Sequence, residues 1–504
     1  MRGKGSVTVF AALLTVIIAS AIFALMEAAR VHGIKANARM TTIQAADGIL
    51  SSYNTELWEE YKLLFWEESS TDLSSLSKAC QFQIDLTEGN YAESSLITEN
   101  YYVLQVHLNE VEANSFRLAT DDGGYSFKKQ AADIMSVQAA AEAVDTIIEI
   151  LSDYDGDSES EALESEENAE DILDELIEAV SDAESSAQQE EDSDQQGDSE
   201  DSTDSEQSSS GDYSFTLTDN PIQWMIDIQS KGIYAYLLPS EDLSDKAIDL
   251  SESIAQRDLN EGNWDDDDDD WSAAESVLLL TYLTDYFDNV TDEGGDRALD
   301  YEAEYIIAGK SSDKANLKAV VRRILLIREA ADLAYIETDS GKCQEAYNAA
   351  LSICALVGQP EFTEVVKQAI LAAWAFAESL SDVKILLDGG NVPLVKTSDN
   401  WNTDLNSLMD DITSAKAGKT QSGLDYENYL QILMGTLSEE KLSYRAMTII
   451  ESNTGVSMDC MVSDMDFTYS YSASVLFWDF VKIGTGSFSG YSFTDQHSLS
   501  YLNQ

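Results

Sequence analysis

Val7-Thr8-Val9-Phe10-Ala11-Ala12-Leu13-Leu14-Thr15-Val16-Ile17-Ile18-Ala19-Ser20-Ala21-Ile22-Phe23-Ala24-Leu25-Met26 is a run of 20 residues without a charge, and it follows the short basic head Met1-Arg2-Gly3-Lys4-Gly5-Ser6. A helix of that length reaches roughly 30 Å, the thickness of one bilayer core. Three readings of residues 1–26 are open. The helix is a retained transmembrane anchor, or Ala19-Ser20-Ala21 is the small-x-small cleavage site of a signal peptide, or a pilin-type leader is cut after Gly5. The run exceeds a usual signal core, which favours retention. Ser20, Ala24 and Ala28 recur at four-residue steps, a spacing that lets membrane helices approach closely. Basic residues flank both ends, with Arg2 and Lys4 before the run and Arg30, Lys35 and Arg39 after it. A basic head before an apolar run is the usual export signal, so the bulk of the chain is expected outside the cell.

Beyond the run, Ala28, Val31, Ile34, Ala38, Ala45, Ile49, Leu57, Tyr61 and Leu64 keep helical spacing. No proline occurs before Pro221, and Gly48 is a weak point, so the sequence predicts a stalk helix continuing out of the anchor.

The whole chain has 504 residues and a formal net charge of -65, from 94 acidic and 29 basic side chains. Such a surface repels nucleic-acid phosphates and anionic lipid headgroups and attracts cations and basic partners. The plainest reading of the charge is a solvated exterior. Cys80, Cys343, Cys354 and Cys460 are too few for a disulfide scaffold, and Cys343 and Cys354 lie too far apart along one helix to join. The histidines are His32, His107 and His497, and His107 falls in a β-rich stretch where a structural role is expected.

Residues 101–118 alternate like a strand, Asp121-Asp122-Gly123-Gly124 reads as a turn, and a helix is predicted from about Ser126 to Leu151. Residues 152–212 are an acidic, Ser/Gln-rich block that buries too little apolar surface to order, apart from a short helical stripe of Leu163, Ile172, Leu173, Leu176, Ile177 and Val180. Asp153, Asp155, Asp157, Glu159, Glu161 and Glu164 mimic calcium-loop spacing, but Ser158 stands where that loop needs glycine. Asp265 to Asp270 is a similar acidic run, and weak calcium binding by these tracts is the most that they imply. Helices are predicted over Ser276–Phe287, Asn316–Tyr335, Cys343–Val357, Glu361–Leu387 and Tyr426–Ser452, with Pro360 as a start and Gly389-Gly390 as a stop. Arg322, Arg323 and Arg328 form the dense basic cluster of the distal chain, to be paired internally or docked on an acidic partner. Met458 to Tyr471, Ser474 to Phe480 and Phe488 to Phe493 read as an antiparallel meander, and pilin-like heads place such a sheet against the stalk.

Several segments carry a resemblance. Lys4 to Ala11, the apolar run and Glu27-Ala28-Ala29-Arg30 are similar to the N-termini of TadE/TadG-type pseudopilins of tight-adherence (Tad) pilus systems. Tyr53-Asn54-Thr55-Glu56-Leu57-Trp58-Glu59-Glu60-Tyr61 resembles an uncharacterised family of Gram-positive surface proteins whose genes commonly lie beside Tad pilus genes. The likeness extends through Glu304 to Lys310, Asn316-Leu317, Leu326-Ile327-Arg328-Glu329, Ala373 to Ser379, Val392-Pro393-Leu394-Val395-Lys396 and Tyr444-Arg445-Ala446-Met447. It implies a location and a system, not a reaction. Counting from Ser6, Phe10 stands where pilin-type leaders carry a glutamate.

The expected fold class is α+β, mainly α: an N-terminal transmembrane helix continuing into a stalk helix, a small antiparallel sheet built from about 101–118 and 456–500, a large helical insertion and a disordered acidic loop. The expected divisions are an anchor (1–26), a stalk (27–70), an α/β segment (71–151), an acidic linker (152–212), a helical domain (213–454) and a β-rich end (455–504). No nucleophile elbow, Walker loop, dinucleotide fingerprint or zinc motif is present, and no Leu-Pro-x-Thr-Gly signal. No catalytic, cofactor-binding or metal residues are therefore assigned, and no cofactor. The expected role is a single-pass, extracytoplasmic structural protein of a Tad-type pilus. Its partners would be membrane lipid and, by lateral helix packing, pilus or pseudopilin subunits, with no nucleic acid. A free-standing acidic adhesin or cation-binding exoprotein is the alternative, and a wall-polymer hydrolase comes third.

Overall fold

A computed structural model describes residues 4–68, 72–94, 106–138, 147–148, 237, 243–264, 271–292, 295–357, 360–408, 412, 415, 423–475 and 490–502. In chain order its main elements are α1 (Lys4–Leu50), α2 (Thr55–Tyr61), β1 (Trp66–Glu67), α3 (Leu73–Ser94), β2 (His107–Leu118), α4 (Asp121–Gln138), α5 (Ala273–Tyr286), α6 (Glu302–Ala308), α7 (Asp313–Thr338), α8 (Ser340–Val357), α9 (Thr363–Leu387), α10 (Tyr426–Gly435), α11 (Glu439–Thr454), β3 (Met461–Ala473) and β4 (Tyr491–Ser500). The chain divides into two compact units, one comprising 1–138, 252–279 and 439–504 and the other 139–251 and 280–438.

In the first unit α1 is one helix of 47 residues, about 70 Å long. Its most apolar window has a mean hydropathy of 2.7 and is 0% buried, long and apolar enough to cross a membrane. From Glu27 onward one stripe goes inward: Arg30, Ile34, Ala38, Thr42, Ala45, Ala46 and Ile49 are buried. The small residues in that stripe let the helix lie close to an aromatic sheet surface. That surface is formed by β4 and its neighbour β3, whose Met465, Phe467, Tyr469 and Tyr471 alternate inward as pleating requires. α3 adds Leu76, Cys80 and Ile84 to the same core. Thr42 Oγ1 and Tyr471 OH share a hydrogen bond of 3.0 Å, and Tyr501 OH donates to Leu50 O at 2.9 Å, pinning the end of α1.

β3 is the central strand. β2 pairs with it antiparallel from His107 opposite Ser472 to Leu118 opposite Val462. β4 pairs along its other edge from Tyr491 opposite Ala473 to Ser500 opposite Asp464, and β1 continues that edge at Trp66 and Glu67. The predicted union of the 101–118 and 456–500 segments in one sheet is therefore found. The predicted strand around Ser474 to Phe480 lies largely outside the described residues, as do the acidic block 152–212 with its calcium-like spacing and helical stripe, most of 139–151, and Asp265 to Asp270.

Two helical readings need correction. The stalk ends at Leu50, short of Leu64: Ser52 N tightens onto Ile49 O, Asn54 N donates to Phe65 O, and Asn54 Oδ1 caps α2 by accepting from Glu56 N and Leu57 N. The single predicted helix over Tyr426–Ser452 is two helices, α10 and α11, which fall in different units. Helix α3 was not anticipated. The Asp121–Gly124 turn is present: Asp122, Gly123 and Gly124 all have positive φ, at 52°, 65° and 80°.

The second unit is helical. α7 and α8 both pack on α9, and α6 and α10 pack beside α7. α9 stops where predicted: Gly389 takes φ 77°, and Gly389 and Gly390 donate their N–H groups to Leu386 O and Ile385 O. The segment after it is tied down by an antiparallel bridge of Val392 with Leu424.

Candidate functional site

The second unit holds its charge inside. α7 presents Arg328 and Asp332 one turn apart, and α9 presents Glu378, Ser379 and Asp382 on one face. The segment after α9 supplies Lys396, Asn402 and Thr403, and α10 supplies Tyr429. The side chains of Arg328, Asp332, Glu378, Asp382 and Lys396 are all 0% exposed. Charges buried this far are stable only when every one is paired and hydrogen-bonded.

They are paired closely. Arg328 Nη2 lies 2.8 Å from Asp332 Oδ1 and 2.9 Å from Asp382 Oδ2, and its Nε donates to the same Asp382 oxygen at 3.1 Å. Its Nη1 donates to Pro393 O and Leu394 O at 2.9 and 3.1 Å. Lys396 Nζ donates to Asp382 Oδ1 at 2.8 Å, to Asn400 O at 3.1 Å and to Glu378 Oε1. Glu378 also accepts from Asn402 N, Thr403 N and Thr403 Oγ1 at 2.8, 2.9 and 2.8 Å. Asn402 Nδ2 reaches both Glu378 Oε1 and Asp382 Oδ1, at 3.2 and 3.3 Å. Ser379 Oγ donates to Asp332 Oδ2 at 2.9 Å.

Three carboxyls thus face two cations. Burial pushes Asp332 up to about 7, against the pull of Arg328, and burial also raises Asp382. One proton taken up by these carboxyls makes the group neutral, and burial favours that uptake. An aromatic wall closes one side. Trp374 and Trp401 meet edge to face at 6.1 Å, with Lys342 Nζ 4.4 and 4.5 Å from their rings, and burial lowers the Lys342 ammonium. Trp374 Nε1 donates to Thr403 Oγ1 at 3.1 Å.

A second buried acid lies in the same unit. Glu304 Oε1 accepts from Tyr426 OH at 2.8 Å and Val290 N at 3.0 Å, while its Oε2 has no hydrogen-bond partner. Burial dominates there and pushes the carboxyl up to about 7.

Arg328 of the basic cluster pairs internally; Arg322 is exposed and Arg323 half-buried on the same helix. Ser20, Ala24 and Ala28 are exposed on α1. Ser20 Oγ and Thr15 Oγ1 donate to Val16 O and Ala11 O, so these two hydroxyls of the apolar half are satisfied within the helix. His32 and His107 are exposed, and His497 packs edge-on to Phe467 at 5.8 Å. In the first unit a groove of about 870 Å³ runs between the end of α1 and β4, lined by Ile43, Asp47, Leu50, Tyr53, His497 and Tyr501 among others. All four cysteines are free, and Cys343 and Cys354 share α8. Among the described residues no group of His, Cys, Asp and Glu is arranged to hold a metal ion.

Sequence reading missed the ion cluster as a unit. The available signal was a charge on each apolar face: Arg328 among Val321, Ile324 and Leu325, and Glu378 and Asp382 within the apolar Ala369–Leu386 stretch. No curated protein and no solved structure matches the chain. A protein-family model described as "Family of unknown function (DUF5702)" matches residues 212–473, slightly more than half of the chain and the span that carries the whole ion cluster. The chain belongs to this family of unknown function, DUF5702.

Proposed function

We propose that the protein is a membrane-anchored, extracytoplasmic structural component associated with a Tad-type pilus, resembling a minor pseudopilin. The observation that carries this reading is α1: one unbroken helix whose exposed first half is apolar and whose second half is the spine of a sheet domain. The apolar half sits in the bilayer with its Thr15 and Ser20 hydroxyls bonded to its own backbone and its small residues free to meet partner helices. The sheet domain and the remaining chain project outward, and their acidic surface keeps them clear of anionic headgroups. The role is structural rather than catalytic.

Phe10, in place of the glutamate of pilin-type leaders, favours a second reading in which the protein stays in the membrane as a free-standing acidic surface protein. Deleting the pilus assembly genes in the native cell separates the two. Loss of the protein from the membrane fraction supports the pilus role, and unchanged retention supports the free-standing one. Protease treatment of intact cells tests the orientation: survival of the distal chain while the membrane is sealed refutes an external head.

A further inference from the structure

We propose that Lys396 and Asp382 condense into an intramolecular amide bond, with Glu378 carrying the protons. This goes beyond the anchoring role and does not rest on it.

The geometry is that of reactants already assembled. Lys396 Nζ lies 2.8 Å from Asp382 Oδ1 and touches Glu378 Oε1, and the three side chains are 0% exposed. Holding an amine against a carboxyl in one orientation removes the entropic cost of bringing them together. Burial removes the second obstacle. In water the ion pair is favoured over amide plus water, but inside a protein each unneutralised charge is costly and a neutral amide is not. Trp401 stands 5.9 Å from the Lys396 ammonium and, with Trp374, walls the site from solvent.

Each neighbouring group has a place in the step. Every polar contact of Glu378 is a donor aimed at its oxygens: Asn402 N, Thr403 N, Thr403 Oγ1, Asn402 Nδ2 and Lys396 Nζ. That is the arrangement of a proton acceptor locked in position. Asp382 is held differently. Its Oδ2 faces the Arg328 guanidinium through Nε and Nη2, a fixed positive charge at the oxygen that turns negative when the carboxyl carbon becomes tetrahedral. Its Oδ1 faces only Lys396 and Asn402 Nδ2 and is the oxygen that departs. Burial raises Asp382, so its carboxyl accepts a proton passed from Lys396 through Glu378 more readily than an exposed aspartate would, and the neutral acid so formed is the form attacked.

The balance closes without a further reactant. Lys396 Nζ gives a proton to Glu378, and its lone pair forms a bond to Asp382 Cγ. Glu378 returns protons to Oδ1, the Cγ–Oδ1 bond breaks, and one water leaves. Of the three ammonium protons one remains on the amide nitrogen and two leave with the oxygen. No oxidation or reduction occurs, and the net charge of the pair, zero before, is zero after. The product ties the last turns of α9 to the segment that follows it, closing a loop as a disulfide does in a chain whose cysteines are all free.

The test is a tryptic digest of the full chain, purified from membranes in detergent, denatured, reduced and read by tandem mass spectrometry. The expected product is a branched species joining residues 368–384 to residues 385–416, lighter than the two together by one water, with no cleavage after Lys396. Ordinary cleavage after Lys396 and separate unlinked peptides overturn the proposal, leaving a non-covalent ion cluster. A branch from Lys396 to Glu378 or to Asn402 overturns the assignment to Asp382. Glu378→Gln tests the proton carrier: the linked fraction is expected to fall at least tenfold, and an unchanged fraction overturns that role. The wild-type digest decides the bond itself, so the result does not depend on the variant folding.

Discussion

Glu304→Gln isolates a pH dependence that the fold builds into the second unit. The carboxyl is fully buried, two donors converge on Oε1, and nothing meets Oε2, so the ionised form is poorly supported. Its proton affinity is raised from 4.5 to about 7, with burial as the cause and the Val290 and Tyr426 hydrogen bonds opposing it. Because the folded value is the higher one, Glu304 costs the fold nothing below pH 4.5. Stability is then lost as pH rises, until the folded carboxyl itself ionises near 7. At about 1.4 kcal/mol per tenfold change in affinity, the loss attributable to this one group is about 3 kcal/mol. The assay is urea unfolding of the full chain in detergent at pH 5 and pH 8.5, wild type beside variant. Repulsion among the surface carboxylates is common to both proteins and cancels in the comparison. The wild type is expected to lose about 3 kcal/mol more than the variant across that interval. Parallel pH profiles would refute the assignment of a protonated, buried Glu304.

Phe467→Ala removes a fully buried ring from the face of β3 that α1 and α3 cover, and should cost about 3–5 kcal/mol in urea unfolding. Gly262→Ala should cost about 1–3 kcal/mol by the same measurement, because a Cβ there would fall 2.2 Å from Asp121 Oδ2 and 2.5 Å from Phe116 O. Gly48→Ala should do the reverse and stabilise by about 0.5–1 kcal/mol, since it sits inside α1 and a Cβ would meet only Gln83 Oε1 at 3.8 Å. Replacing Ser20, Ala24 and Ala28 together by leucine should reduce co-purification of pilus components severalfold while leaving the protein in the membrane; undiminished co-purification would rule out packing through that face.

How much of this the sequence disclosed depends on the range of the forces involved. The long apolar helix was legible because 20 uncharged residues in a row have few structural explanations. The sheet was legible because Met465, Phe467, Tyr469 and Tyr471 alternate with polar residues, a period that only a pleated strand uses. Helix α3 was hidden by weak contrast: Leu76, Cys80 and Ile84 keep a four-residue step, but serines and glutamines surround them. The end of the stalk at Leu50 was hidden for another reason. No proline stops it; the turn of Ser52 N onto Ile49 O, the Asn54 N bond to Phe65 O and the Asn54 cap of α2 do, and those act through hydrogen bonds that composition does not register. The split between α10 and α11 had a local sign in Gly435, outweighed by the apolar spacing on either side. The ion cluster was the least legible. Arg328 and Asp382 are 54 positions apart, and only the packing of α7 on α9 makes them partners.

The continuity of α1 has a geometric consequence. With no hinge between the exposed apolar half and the half beneath the sheet, the sheet domain cannot swivel independently of the apolar half: its azimuth and height follow the rotation and depth at which that half is held. One residue inserted between Met26 and Arg30 would turn the attached domain by about 100° and lift it by about 1.5 Å relative to the apolar end of the same rod. The register of side chains along the apolar half therefore aims whatever the sheet domain displays, much as a keyed shaft aims the fitting mounted on it.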